Sequence, residues 1–277
     1  MHTRFWIATT AALLIAPSAM ASPTAVIFES SGPNAAAITP TRDAFRAAIG
    51  GGIVAAANGS FGGVRREINW DGVPDARADP SLLPANFFNV NSPRGVVFST
   101  PGSGFLVSAN AGTASPILFG FASDFAVFSA QRLFTAINSA ITDVNFFVAG
   151  TTTAATTTAF GAIFTDVETV GTTTMDFFDE TGALFLKRSV LTSSNLGLSF
   201  LGAQVSGGAI SRVRITSGLN TITANGQLGN PLDDVVVMDD FIYAEAKAAV
   251  PVPATLALVS LALAGLAVQL RRCRTRQ

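Results

Sequence analysis

Short apolar runs, separated by glycine, proline, serine and aspartate, dominate the middle of the chain. Most are rich in phenylalanine, valine and isoleucine, which is typical of β-strands. Residues 211–216 alternate polar and apolar side chains, as a half-exposed antiparallel strand requires. No helical pattern interleaves these runs, so the sequence predicts an antiparallel β-sandwich. The predicted strands are residues 95–99, 104–108, 144–148, 160–164, 175–178, 183–186, 198–201, 210–215 and 235–243.

Ahead of these strands, residues 39–49 have the pattern of one short amphipathic helix. Thr39 is a candidate N-cap, and Pro40 suits the first helical turn. Phe45 and Ile49 lie four residues apart, which places both on one face. Three glycines follow and would end the helix.

The first 21 residues have the three parts of a secretory signal peptide. Arg4 supplies a cation, residues 5–16 form an apolar run, and residues 19–21 (Ala-Met-Ala) form a small-residue cleavage site. A buried N-terminal helix is the weaker alternative, because Pro17 would break it and the run is too short to span a bilayer. We therefore expect export and cleavage after residue 21.

The other end of the chain has the pattern of a membrane anchor. Residues 254–270 contain no charged side chain. These residues would extend about 25 Å as a helix that rises about 1.5 Å per residue, close to the hydrocarbon thickness. A basic tail, residues 271–277, follows at once and favours a cytoplasmic end with the body outside. A C-terminal core helix is the alternative, but the segment lacks the polar stripe of such a helix.

The anchor is preceded by a Val-Pro-Val-Pro motif and closed by arginines, a pattern carried by Val250, Pro251, Val252, Pro253, Arg271, Arg272 and Arg274. Residues 250–277 thereby resemble the PEP-CTERM sorting domain of Gram-negative bacteria, in which Val-Pro-Glu-Pro precedes the helix. The resemblance implies an exosortase, a membrane-embedded cysteine transpeptidase, as partner. Val252 stands where the family has glutamate, so the tail is either sorted or kept as a plain anchor.

Residues 22–249 form the body, whose length is within the range of a single domain. It has 12 basic and 18 acidic side chains, a net charge of −6, which argues against nucleic-acid binding. Its later segments are, in order, residues 160–167, 176–182, 198–202, 210–215 and 238–243. Their order resembles a jelly-roll pattern of uncharacterised exported bacterial proteins, which implies a jelly roll of carbohydrate-binding type.

Histidine and cysteine chemistry is missing from this body. The chain's single histidine, His2, leaves with the signal peptide, and its single cysteine, Cys273, lies in the basic tail. A Ser-His-Asp triad, a Cys-His pair and imidazole-bound zinc are therefore excluded from the mature body. We expect a non-enzymatic protein. A carboxylate-dependent glycoside hydrolase is the least favoured alternative, because no glutamate stands in a recognised signature.

The most distinctive segment of the body contains Asn69, Trp70, Asp71 and Asp75. A tryptophan face with nearby acceptors is what a sugar-binding platform uses. The same residues suit a tryptophan packed at the sandwich edge, with Asp71 in a turn and Asp75 capping a short helix. A lectin-like, carbohydrate-binding surface module is therefore the alternative function.

A second group of candidate residues is acidic: Asp166, Glu168, Asp176, Asp179, Asp233, Asp234, Asp239 and Asp240. Ca²⁺ takes six to eight oxygen ligands at roughly 2.3–2.6 Å, so clustered carboxylates are candidate ligands, above all where Asp239 or Asp240 meets acids from another strand. The best candidates for a structural calcium ion are Asp239, Asp240 and Asp166. EF-hand spacing is lacking, so solvated turn residues are the alternative, and no other cofactor is expected.

Together these features predict a non-enzymatic protein of the cell envelope or extracellular matrix, anchored in the membrane by its C-terminal helix. Sorting by an exosortase and transfer to an extracellular polysaccharide are implied by the PEP-CTERM resemblance. The predicted organisation is a signal peptide, residues 1–21, a jelly-roll-like β-sandwich, residues 22–249, and a sorting or anchor segment, residues 250–277.

Overall fold

The computed structural model describes residues 23–109, 118–230 and 233–248. These residues are mainly β, with antiparallel strands and few helices. The helices are α1 (Ala35–Ile49) and α2 (Phe87–Val90), with 3-10 turns at Ala57–Gly59, Trp70–Gly72, Asp75–Arg77 and Leu118–Gly120. The strands are β1 (Thr24–Gly32), β2 (Ser60–Phe61), β3 (Arg65–Ile68), β4 (Val96–Ser99), β5 (Gly104–Val107), β6 (Phe134–Ile137), β7 (Ile141–Phe146), β8 (Ala155–Thr156), β9 (Ala159–Thr165), β10 (Thr174–Phe178), β11 (Leu184–Ser189), β12 (Leu198–Ser206), β13 (Arg212–Thr216), β14 (Val237–Ala244) and β15 (Lys247–Ala248).

Two antiparallel sheets contain most of these strands. The first has the order β1-β12-β9-β14-β3-β2, and β6 joins it by pairing with β14 and with β5. The second has the order β11-β10-β13-β7-β4, and β8 pairs with β15 in a separate ribbon. Each of the nine strands predicted from the sequence overlaps an observed strand.

One hydrophobic core is shared by both sheets. Phe160 and Phe164 of β9 pack in the same cluster as Val213 and Ile215 of β13. On β13 the two apolar side chains are buried while the two arginines that alternate with them are partly exposed, which confirms the alternation predicted for this strand. Two sheets that enclose one core are consistent with a β-sandwich.

Helix α1 covers the opposite face of the first sheet. Its Ile38 and Phe45 are fully buried in a second cluster with residues of β9, β12 and β14. Gly161 and Gly202 face each other on β9 and β12 beneath Phe45. A side chain at Gly161 would meet a Phe45 ring carbon at 2.9 Å, so the two glycines let the helix approach the sheet.

Helix α1 begins four residues earlier than predicted. Asn34 is its N-cap, and the Asn34 side chain accepts a hydrogen bond from the backbone N–H of Ala37. Thr39 and Pro40 lie inside the helix, so the predicted cap at Thr39 is wrong. Three alanines extend the helix ahead of Pro40, because their helix propensity offsets the single hydrogen bond that a proline cannot donate.

No helix among the described residues is both long and apolar enough to cross a membrane. The predicted signal peptide, residues 1–21, and the predicted anchor segment, residues 250–277, lie outside the described residues.

Candidate functional site

Trp70 lies in the core rather than on the surface. Its side chain is 0% exposed and stacks on Phe134, with ring centroids 4.1 Å apart and an angle of 2° between the ring planes. The indole N–H donates to the backbone carbonyl of Asp239 at 2.8 Å. A sugar platform needs an accessible ring face. The predicted carbohydrate site at Trp70 is therefore wrong, and the alternative of a packed tryptophan is confirmed.

The polar neighbours of Trp70 hold a loop together. The Asn69 side chain accepts from the backbone N–H of Asp71 at 2.9 Å. Asp71 in turn accepts from the backbone N–H of Arg132 at 2.9 Å, and Asp75 forms an ion pair with the buried Arg132 guanidinium. Burial raises the pKa of Asp71. These groups serve Arg132 and the 3-10 turns around it, so they do not converge on a ligand.

Arg132 is a residue that the sequence did not single out. Its side chain is 1% exposed and donates to the backbone carbonyl of Ser108 at 3.1 Å as well as to Asp75. Asp75 is the first residue of its 3-10 turn, and the preceding Pro74 occupies the cap position, so the predicted capping role of Asp75 is wrong. The carboxylate of Asp75 instead neutralises the buried arginine.

The predicted calcium ligands are separated. Asp239 and Asp240 lie on β14 where its register with β9 shifts, a local bulge. The Asp239 carboxylate accepts from the backbone N–H of Phe128 at 2.6 Å, and the Ser129 hydroxyl lies 3.0 Å from Asp239 and 2.9 Å from Asp240. Among the described acids, these two do not join the group that contains Asp166. The predicted set of Asp239, Asp240 and Asp166 is therefore wrong.

Asp239 and Asp240 form a buried pair of neighbouring carboxyls. Burial raises the pKa of both carboxyls, and the charge of Asp240 adds to the effect on Asp239. Two neighbouring carboxyls that are excluded from water do not ionise together easily. The pair therefore belongs to the hydrogen-bonded interior.

A different acidic group forms where β9 ends and β14 begins. Because these strands are antiparallel neighbours, Asp166, which follows β9, meets Asp234, which precedes β14. Glu168, from the loop between β9 and β10, completes the group. One carboxylate oxygen of each residue lies within 4.8 Å of the others. We call Asp166, Glu168 and Asp234 the strand-end triad.

The triad carries negative charge without a cationic partner. None of the ion pairs among the described residues includes its three acids. Burial raises the pKa of Asp166 to about 7, and the neighbouring charges of Glu168, Asp234 and Asp124 act in the same direction. Burial also raises the pKa of Asp234, although backbone N–H groups of Thr169 and Glu168 oppose the change.

Sequence reasoning named all three triad acids as members of one acidic group, but as ligands it selected Asp166 together with Asp239 and Asp240, and it left out Glu168 and Asp234. The pairing of β9 with β14 brings Asp166 and Asp234 together, and a pairing between distant segments is not visible in local sequence. The signal that was present is position, because Asp166 directly follows the apolar strand β9 and Asp234 directly precedes the apolar run that leads into β14.

Comparison of the chain with family models, with curated proteins and with solved structures gave no match. The contacts described above therefore carry the functional interpretation. They define a mainly β domain with a structural Trp70, a buried aspartate pair and an uncompensated acidic triad.

Proposed function

We propose that this chain is an exported, non-enzymatic protein of the cell envelope whose β-rich domain is held at the membrane by its C-terminal segment. The observation that carries the proposal is the agreement between the limits of the domain and the two predicted signals. Strand β1 begins at Thr24, three residues after the predicted cleavage position, residue 21. Strand β15 ends at Ala248, two residues before the predicted anchor segment begins at residue 250.

Both ends of the domain are hydrogen-bonded into the fold. Every residue of β1 pairs with β12, from Thr24 opposite Ser206 to Gly32 opposite Leu198. At the other end, β15 pairs with β8. Cleavage after residue 21 would leave β1 complete, and a membrane segment beyond residue 249 would leave β15 complete. This arrangement supports a domain that folds after export while tethered.

The strand order supports a jelly roll as the particular sandwich. Within the first sheet the order β12-β9-β14-β3 interleaves early and late strands, and the second sheet does the same with β11-β10-β13-β7. Interleaving of this kind across two sheets is produced by the paired Greek keys of a jelly roll. A jelly-roll fold is used by structural and binding proteins alike, so the fold alone assigns no ligand.

The surroundings of the buried carboxyls support a non-enzymatic role. A glycoside hydrolase needs two acids that face each other across a cleft. Asp239 and Asp240 are consecutive residues of one strand, and their oxygens bond to the Phe128 N–H and the Ser129 hydroxyl inside the protein. Their contacts are those of groups that fix a loop to a sheet.

Fractionation of a Gram-negative host that expresses the full chain tests the proposal. We expect the protein in the membrane fraction, with its domain accessible to protease from outside the cytoplasm. Leu263→Arg places a charge in the middle of residues 254–270 and should release the protein from the membrane. Thr275→Arg adds the same charge within the basic tail and should leave it anchored. Wild-type protein that is wholly soluble, with an intact C-terminus, would contradict the proposal.

Sorting by an exosortase, and transfer to an extracellular polysaccharide, is the further part of the proposal that the PEP-CTERM resemblance motivates. The intact mass of the surface-exposed protein distinguishes sorting from plain anchoring. Loss of the residues beyond about Pro253 supports sorting, whereas retention to Gln277 supports a plain anchor. Val252→Glu, which recreates the signature glutamate, should increase cleavage in a host that has an exosortase, and Val252→Gln is the uncharged control.

A further inference from the structure

We propose that the strand-end triad, Asp166, Glu168 and Asp234, is a binding site for a calcium ion. One oxygen from each carboxylate lies within 4.8 Å of the other two. Two oxygens that each lie roughly 2.3–2.6 Å from one Ca²⁺ are at most about 5 Å apart. The three carboxylates therefore already stand at a spacing that one ion can bridge.

The state of Asp166 is the second observation that indicates a ligand. Its side chain is buried, with 5% of the residue exposed, and its Oδ1 atom has no hydrogen-bond partner. Buried carboxylate oxygens in native proteins are nearly always paired. Asp234 has an unpaired buried oxygen of the same kind. A cation among the three acids would supply the missing partner to both residues.

The electrostatic surroundings also favour a cation. No arginine or lysine forms an ion pair with the triad among the described residues, and Asp124 adds a fourth nearby negative charge. A buried carboxylate without a counter-charge is unfavourable, because burial removes the water that would solvate it. The raised pKa of Asp166 reflects the same unfavourable surroundings.

The donor atoms select calcium among the common ions. All three ligands are carboxylate oxygens, which suit hard cations, whereas zinc sites are typically built with imidazole or thiolate ligands. Magnesium is usually held by one or two carboxylates and keeps several waters, whereas calcium accepts more protein ligands in flexible geometry. Glu168 is exposed and Asp234 is half-buried, so water can complete the coordination.

A bound ion would join parts of the chain that are distant in sequence. Asp166 follows β9 and Asp234 precedes β14, while Glu168 belongs to the loop that crosses to β10 in the other sheet. The ion would therefore fix this loop to the edge of the first sheet. Ca²⁺ should raise the thermal unfolding temperature of the protein, since a ligand that binds only the folded state stabilises it.

Calorimetric titration of the full chain in detergent with CaCl₂, after treatment with EGTA, tests the proposal. We expect one Ca²⁺ per chain, a higher unfolding temperature with Ca²⁺, and binding at least tenfold tighter than that of Mg²⁺. Glu168→Gln should weaken Ca²⁺ binding at least tenfold. Glu180→Gln, an equivalent change at an exposed glutamate of the β10–β11 turn, should leave it unchanged.

Asp166→Asn is the second variant, and it retains a side chain that tolerates the positive φ of 69° at this position. It should fold and lose Ca²⁺ binding, with folding verified by circular dichroism. Three results would overturn the proposal: folded wild-type protein that shows neither heat nor a shift in unfolding temperature at millimolar CaCl₂, equal binding by the Glu168→Gln variant and the wild type, or equal affinity for Mg²⁺.

Discussion

Trp70 and Phe134 stack face to face, with ring centroids 4.1 Å apart and an angle of 2° between their planes. Phe88 and Phe241 meet the indole edge-on, at centroid distances of 5.4 and 5.2 Å. The stack joins the 3-10 turn that carries Trp70 to strand β6, which carries Phe134. Trp70 is therefore a central packing residue between a loop and the first sheet.

Shortening Trp70 should destabilise the domain strongly. Trp70→Ala removes the stacked ring and should lower the free energy of unfolding by about 3–5 kcal/mol. Trp70→Phe keeps a ring but loses the hydrogen bond to the Asp239 carbonyl, so we expect a smaller loss of about 1–3 kcal/mol. Urea unfolding measures both values. Leu184→Ala, at a residue that is 50% exposed, is the control and should change stability by less than about 1 kcal/mol. A Trp70→Ala variant as stable as this control would contradict the assignment.

An alanine at Gly161 should disturb the contact between α1 and the sheet. The added Cβ would lie 2.9 Å from a Phe45 ring carbon and 3.1 Å from the Cα of Gly202. We expect Gly161→Ala to lower the free energy of unfolding by about 1–3 kcal/mol through overpacking. Gly72→Ala is the matched control, because no atom lies within 4 Å of its added Cβ. Equal effects of the two substitutions in urea unfolding would show that Phe45 adjusts freely.

Apolar runs predicted nine of the strands, but the apolar strands β1 and β6 were missed, and so was β3, where charged residues replace apolar ones. Strand β3 contains Arg65, Arg66 and Glu67, a composition that does not indicate a strand. Its charges are satisfied by partners distant in sequence: Arg46 pairs with Glu67 at 2.5 Å, and Arg66 pairs with Glu245 at 2.6 Å. Local propensity is overridden here by tertiary ion pairs, which sequence inspection does not show.

The candidate sites were harder to predict than the strands, because burial decides their chemistry. Trp70 beside two acids suits a sugar platform only if its ring is exposed, and its exposure depends on Phe134, 64 residues later in the chain. Asp239 and Asp240 lie in a strand that is covered on both faces, so consecutive residues are both buried. Asp166 and Asp234 do meet, and to predict this contact from the sequence one would have to know which strands pair.

The start of helix α1 gives a direct test of the corrected cap. Asn34→Ala removes the side-chain acceptor for the Ala37 N–H and should lower the free energy of unfolding by about 1 kcal/mol. Thr39→Ala is the matched comparison and should be close to neutral, because Thr39 lies inside the helix, where alanine is the better helix former. Thermal or urea unfolding of both variants is sufficient. A larger loss at Thr39 than at Asn34 would restore the original cap prediction.

The buried pair Asp239 and Asp240 should make stability decrease with rising pH. Burial raises the pKa of both carboxyls in the folded state above the unfolded value of about 3.9. Below that value both states hold the protons and the stabilisation is complete. As pH rises from about 4 towards the folded pKa values, the unfolded state releases protons first, and stability falls by up to about 1.4 kcal/mol per pH unit for each proton.

The carboxyl of Asp143 affects stability in a separate pH range. Burial would raise the pKa of Asp143, but hydrogen bonds from Arg214 and Arg212 outweigh it and hold the pKa below its ordinary value. The stabilisation from Asp143 is therefore present above about pH 3.9 and is lost as pH falls below it. The decline in stability between pH 4 and 7 is therefore caused by carboxyls whose pKa values are raised in the folded state.

Asp240→Asn should flatten this decline, because it removes one proton from the pair. At position 240, an asparagine amide can still hydrogen-bond to its neighbours. At position 239, both carboxylate oxygens accept a backbone N–H, one from Phe128 and one from Asp240, so the amide nitrogen of an asparagine would face one of these two donors. We therefore expect the Asp239→Asn variant to be the less stable of the two. The charge of Arg46 lowers the pKa of Asp240 and the charge of Glu67 raises it. Burial is the largest cause, so the pKa of Asp240 stays raised.

Urea unfolding at intervals from pH 4 to pH 7, in EGTA, gives the slope of the free energy of unfolding against pH for each variant. Asp176→Asn is the control, because Asp176 lies on the other sheet and pairs with Lys187 at the surface. We expect it to keep the wild-type slope, while Asp240→Asn reduces that slope and leaves the part due to Asp166. A slope unchanged by Asp240→Asn, in a variant that folds, would show that the pair does not take up a proton on folding.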